Sequence, residues 1–198
     1  DMAVFNLNEA EQLEKKYDSG LQTRDIGKWL GKFVFLFSVF SAGYHYVTAG
    51  IGVPVDYWHM GFHMSGVILL VFISFPMVRG ETNKAFAQNT WWRYGNVPIW
   101  DWGFIIAGVA ASLYIGVTWY GVDITFFGGR FQLAEQVMRQ GNPAQIDVIF
   151  GTALIIVLLE AVRRTLGIVV PIIILVFTGY AVFGQYIPVQ LLRHPGIN

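Results

Sequence analysis

Three histidines and one short run of charges are the residues in this 198-residue chain whose types and spacing could do chemistry. His59 and His63 are four positions apart, so on a helix they share one face. His45 lies in the apolar run just before them. At about 1.5 Å per residue, His45 falls about 18 Å along its helix from Phe33, and His63 about 9 Å along the next from Tyr57. On antiparallel neighbours the two sit at roughly matching depth. Facing imidazoles of this kind can ligate a haem iron, as in membrane b-type cytochromes. The more ordinary role of histidine inside a membrane is a hydrogen bond across a helix interface. His194 is read as a surface residue with no part in this pairing.

The charged run is Glu160, Arg163 and Arg164, in the stretch "LLEAVRRTLGIVVP". Glu160 precedes the two arginines by three and four positions, which opens an ion pair along one helix face. Gly167 and Pro171 then mark a tight turn and the start of a new helix. A helix end whose arginines snorkel to water is the plain reading. A contact with a lipid headgroup or a second subunit, through Glu160, Arg163, Arg164 and Pro171, is the functional one.

The elements that carry these residues follow from composition. The chain is 55% hydrophobic and 13% charged, about half the charge of an ordinary soluble domain. Phe33–Val55, Tyr57–Val78, Trp102–Val122 and Ile168–Leu192 contain no formal charge, and Ile146–Val162 carries only Asp147 and Glu160 near its ends. A membrane-crossing helix needs about 20 mostly apolar residues. The expected fold class is therefore an all-α integral membrane protein of about five transmembrane helices plus short amphipathic interfacial helices. The spans are placed at about 31–53, 57–79, 101–122, 145–164 and 168–192, within a membrane domain covering 29–198. Residues 1–28 form a polar, amphipathic N-terminal segment, too acidic to read as a signal peptide. Continuous rather than alternating apolar runs argue against a β-barrel. No cysteine is present, so disulfides and thiolate metal sites are excluded.

Lysine and arginine set the expected orientation. Lys15, Lys16, Arg24, Lys28, Lys32, Arg79, Lys84, Arg93, Arg163 and Arg164 fall on one side, and Arg130, Arg139 and Arg193 on the other. The positive-inside rule then puts the N-terminus in the cytoplasm and, after five crossings, the C-terminus outside. Trp91, Trp92, Trp100 and Trp102 in the cytoplasmic connection between spans two and three fit an aromatic belt at the interface. On the outer side "GGRFQLAEQVMRQGNPAQ" reads as a short amphipathic helix, with Phe131, Leu133, Val137 and Met138 partly on one side. Asn142 and Pro143 are the expected cap and first-turn residue of the fourth span. Walker-type, HExxH and GxSxG motifs are absent, so no enzyme is indicated. Charged residues are missing from the centres of the spans, unlike the usual pattern of a protein that carries charge through its own bundle.

The stretch from Leu159 to Pro188 resembles a known family, the small-subunit part of TAXI-type TRAP (tripartite ATP-independent periplasmic) transporter permeases. The likeness is carried by Leu159, Glu160, Ala161, Arg163, Arg164 and Gly167, then by Pro171, Ile172 and Ile173, and finally by Tyr180, Ala181, Phe183, Gly184 and Pro188. Upstream, "YHYVTAGIGVP" is similar to the family's end of span one through His45, Thr48, Ala49, Gly50, Gly52 and Pro54. His63 matches a histidine early in span two, and Pro143, Asp147 and Gly151 match the entry into span four. The loop holding Trp91 and Trp92 departs from the family in being longer and more aromatic.

The resemblance implies a scaffold, with no cofactor and no nucleic-acid partner. It implies two protein partners, a large elevator-type permease subunit, separate or fused C-terminally, and a periplasmic TAXI-type binding protein that captures an organic anion. Membrane lipids complete the expected surroundings, in a bacterial or archaeal inner membrane. The alternative expectation is a haem-binding redox anchor using His45 and His63.

Overall fold

The computed structural model describes residues 23–53, 55–78, 93–94, 96–126, 129–133, 135–139, 141–191, 193 and 195. Most of the 1–28 segment, Pro54, Arg79, Lys84, Trp91, Trp92 and His194 lie outside the described residues. Among the described residues five helices are long and apolar enough to cross a membrane. They are α1 (Lys28–Ile51), α2 (Asp56–Ser74), α3 (Ile99–Thr118), α4 (Gln145–Leu166) and α5 (Val169–Phe183), the last prolonged by a 3₁₀ turn, Gly184–Tyr186.

Two short antiparallel ribbons complete the described elements. β1 (Arg93–Tyr94) pairs with β2 (Val97–Pro98), and β3 (Val122–Phe126) pairs with β4 (Gly129–Leu133). The second ribbon corrects the expectation of an amphipathic helix from Gly128 onward. Gly129–Leu133 is a strand, and only Gln136–Arg139 turns, as one 3₁₀ turn. The physical reason is the run of Val122, Ile124 and Phe126, then Phe131 and Leu133. Branched and aromatic residues at every second position favour a pleated strand over a helix.

Helix limits follow local chemistry. Span two ends at Ser74 rather than near 79, because Phe75 precedes Pro76 and takes extended angles (φ −105°, ψ 122°). A residue before proline is pushed out of the helical region. The same rule ends the fifth helix early: Ile187 precedes Pro188 and is extended (φ −71°, ψ 126°). The fourth begins at Gln145, not on Asn142 and Pro143. Asp147 provides the cap instead, since its carboxylate accepts the Ala144 N–H at 2.8 Å and sits favourably at the positive end of the helix dipole. Gly167, at φ +88°, closes α4 by donating its N–H to the Arg163 carbonyl at 3.1 Å. Such a conformation suits glycine, and it allows α5 to start two residues later.

The core is the stack α2–α3–α4, with Ile68, Phe72, Ile73, Ile105 and Val157 buried between them. Its tightest seam joins α2 to α3 through small residues at four-residue spacing, Gly61 and Ser65 against Gly108, Ser112 and Gly116. A methyl group added at Gly61 would lie 2.9 Å from the Ser112 carbonyl oxygen and 3.0 Å from the Gly116 Cα. One added at Gly116 would lie 2.8 Å from the Tyr57 carbonyl oxygen. Within the seam Ser65 and Ser112 hydroxyls are hydrogen-bonded at 2.7 Å. Small faces that let two backbones meet are the usual way helices associate in lipid. By contrast α1 buries only Leu30 and Thr48, and α5 only Pro171.

Substitution at the seam should therefore be costly where bulk meets backbone. We expect Gly61→Leu and Gly116→Leu to lower the thermal unfolding midpoint of the detergent-solubilised chain strongly. Gly179→Ala on α5, where nothing lies within 4 Å of an added methyl, should be neutral or stabilising by up to about 1 kcal/mol. Equal effects at the three positions would contradict the seam.

Candidate functional site

At one end of the bundle the structure gathers five charged side chains from three parts of the chain. Asp101, in the first turn of α3, is fully buried. It pairs with Arg24, just before α1, and with Arg164, whose Nη2 is 2.8 Å from Asp101 Oδ1. Arg164 lies in the last turn of α4 and is 1% exposed. Its Nε donates to Glu160 Oε1 at 2.7 Å, and its Nη1 donates to the Phe75 carbonyl at 3.2 Å. Below the guanidinium lies an aromatic floor, the Phe72 ring with its centroid 4.5 Å from Cζ and the Phe104 ring stacked on it. A cation over an aromatic face is attracted by the ring quadrupole, more strongly when water is excluded.

Glu160 also accepts two bonds from Arg163, from Nε and Nη2, each at 2.7 Å. Arg163 Nη2 reaches the Met77 carbonyl at 3.1 Å, and Arg24 donates its backbone N–H to the Ser74 carbonyl at 2.6 Å. The cluster thus ties the start of α1, the end of α2, the start of α3 and the end of α4. The basic residues complement the negative C-terminal end of α4, and Asp101 the positive N-terminal end of α3.

The expected pairing of Glu160 with both arginines is present. The snorkelling reading fails for Arg164, which turns inward because Asp101 supplies a buried counter-charge. Arg163, with its side chain 32% exposed, remains at the surface. Pro171 is buried in the first turn of α5 and has no part in the ion cluster. Sequence reasoning missed Asp101 and Arg24. An acidic residue in the first turn after Pro98 was the available signal for Asp101. Nothing local pointed from Arg24 to a partner 77 positions away.

At the opposite end the three histidines come together. His63 Nδ1 and His45 Nε2 are 2.8 Å apart, a hydrogen bond from α1 to α2. His59 Nδ1 meets the Tyr44 hydroxyl at 2.9 Å. The His45 ring stands edge-on to His63 and His59, with centroids 4.6 and 5.1 Å away. A metal–imidazole bond is about 2 Å long, so two rings on opposite faces of one iron hold their nitrogens about 4 Å apart. The pair is closer than that and does not fit a haem iron in this arrangement. Among the described residues no group of three or more His, Cys, Asp or Glu could hold a metal ion. Beside the pair runs a groove of about 310 Å³ between α1 and α2, lined by Phe37, Phe40, Ser41, Tyr44, Phe62 and Gly66 together with His45 and His63.

A second polar tie closes the same end of α3 against α4. Tyr114 donates to Asp147 at 2.7 Å, Arg139 donates to the same carboxylate oxygen at 3.0 Å, and Gln136 donates to the Thr118 hydroxyl at 2.5 Å. Comparison with protein-family models, with curated proteins and with solved structures gave no match.

Removing one member of a buried ion cluster leaves its partners uncompensated, at a cost of about 3–5 kcal/mol. We expect Asp101→Ala to lose that much in equilibrium unfolding of the detergent-solubilised chain. Arg163→Ala, at the partly exposed edge, should lose about 1 kcal/mol or less. A loss at Asp101 no greater than at Arg163 would show that the buried carboxylate is not holding the cluster.

Proposed function

We propose that the chain is the small membrane subunit of a TRAP transporter of the TAXI type, separate or as one portion of a fused permease. In this reading it braces a large elevator-type subunit that takes up an organic anion delivered by a periplasmic binding protein and driven by an ion gradient. The observation that carries the reading is the coincidence of two features on one stretch. The Leu159–Pro188 run that resembles the family contains Gly167 and Pro171, which build the α4–α5 junction, and Glu160, Arg163 and Arg164, which belong to the ion cluster beside it.

Two further observations support a brace rather than a carrier. Charged residues of the five helices lie within about two turns of a helix end, leaving no charge at mid-helix for substrate or coupling ion. The α2–α3–α4 core is closely seamed, whereas α5 exposes Ile172, Leu175, Val176 and Phe177 along its length. An apolar helix face of that kind suits lipid or a large membrane partner. We further propose an inner-membrane location in a bacterium or archaeon, with the ion cluster at the cytoplasmic end and the histidines at the outer end, following the ten-to-three split of basic residues. No catalytic role belongs to this reading. The alternative, a haem redox anchor on His45 and His63, has the 2.8 Å contact between the two rings against it.

Substrate uptake into proteoliposomes tests the proposal. The large permease part and the binding protein are reconstituted under a sodium or proton gradient, with this chain present or omitted. The proposal expects uptake only when the chain is present. Undiminished uptake without it would overturn the scaffold role, and a Soret band in the purified chain would favour the redox alternative. Replacing both Arg163 and Arg164 by Glu should abolish uptake, through lost docking or altered topology. Full uptake by that variant would contradict the importance of the junction.

A further inference from the structure

We propose that the His45–His63 hydrogen bond is a proton-operated latch that holds α1 against α2 and releases it when both rings are protonated. The inference is independent of the transporter reading. It starts from how weakly α1 is held. Of its 24 residues only Leu30 and Thr48 are buried. Near the ion cluster the chain is fixed by Arg24, bound to Asp101 and to the Ser74 carbonyl. Midway, Phe37 lies against Gly66, where an added methyl would come within 3.2 Å of the ring. Toward the other end the side-chain ties from α1 to α2 are Tyr44–His59 and His45–His63.

The two ties respond differently to protons. A neutral imidazole pair needs one N–H and one bare nitrogen, and a single added proton preserves that arrangement as a charge-assisted bond. A second proton removes the remaining acceptor at the contact. Two N–H groups then oppose each other, and two positive rings stand with centroids 4.6 Å apart. The Tyr44–His59 contact survives protonation, because the phenol oxygen can donate to a neutral ring or accept from a charged one. A charge on His59 nevertheless adds to the repulsion, since its ring centroid is 5.1 Å from that of His45.

Among the described residues Tyr44 from α1 and His59 from α2 stand against the pair, and Asp56 lies seven positions before His63 on the same face of α2. Phe37, Phe40, Ser41, Phe62 and Gly66 complete the groove beside the pair, and no carboxylate is among them. No carboxylate lining the groove therefore balances the second charge. His45 and His63 both line the groove, so separation of the rings widens an existing gap.

The chain has no cysteine, so a pair introduced at the exposed positions Ile51 and Met60 can carry spin labels on α1 and α2. Distances are measured by electron–electron double resonance in lipid nanodiscs at about pH 7.5 and about pH 5, either side of the ordinary imidazole range. The latch predicts that the α1–α2 distance lengthens and broadens at the lower pH. His63→Gln should keep the shorter distance at both, because its amide oxygen accepts from a neutral or a charged His45. A second label pair on Met60 and Ile106 should not change, since the α2–α3 seam contains no titrating group among its small residues. An unchanged α1–α2 distance in the native sequence would overturn the proposal. So would an acid shift as large in His63→Gln, or an equal shift between α2 and α3.

Discussion

The fully buried carboxylate of Asp101 is the interaction on which the arrangement at one end of the bundle depends. It stands between two guanidinium groups, Arg24, 77 positions before it, and Arg164, 63 positions after it. Burying either arginine alone would be expensive, because an ion removed from water needs both a counter-charge and hydrogen bonds to be tolerated. Asp101 supplies the first, and for Arg164 the Glu160 carboxylate and the Phe75 carbonyl supply the second. Four helix ends are placed as a consequence. The Phe72–Phe104 stack beneath Arg164 seals the cluster from below and continues directly into the apolar core.

From that end the α2–α3 seam sets the geometry of the remaining bundle. Gly61, Ser65, Gly108, Ser112 and Gly116 hold the two backbones so close that a single methyl has no room, and α4 packs Val157 against the same face. Dense, small-residue packing of this kind has one arrangement rather than several. The outer helices differ in character. α1 is tied mainly at its ends, and α5 follows α4 through the Gly167 turn with most of its surface uncovered. A closely packed three-helix core with two sparsely buried flanking helices suits the proposed role of a brace.

Much of this was legible in the sequence, for physical reasons that differ between elements. The five long helices were readable because length and freedom from charge are local properties. The Glu160 pairing was readable because three- and four-residue spacing fixes which side chains meet on a helix. His45 and His63 could be matched in depth by counting residues from the helix starts. Early stops at Phe75 and Ile187 were also available, each residue standing before a proline, yet the surrounding apolar run outweighed that signal. The β3–β4 ribbon was missed because Phe131, Leu133, Val137 and Met138 imitate a helical stripe, and the first residue of the partner strand, Val122, closes the charge-free run of the third span. Asp101 could not be joined to Arg24 and Arg164 from sequence, since their separations of 77 and 63 positions carry no periodicity. Arg164 was consequently expected at the surface.

The central structural claim is that Asp101 and Arg164 act as one buried unit rather than as two independent helix-end charges. A double-mutant cycle measures this directly. Unfolding free energies of the native sequence, Asp101→Asn, Arg164→Met and the double variant would be compared in one detergent. Coupling through the shared ion pair predicts that the double variant loses less than the sum of the two single losses, by about 1–3 kcal/mol. Strict additivity would contradict the account, because it would mean that each charge is satisfied without the other.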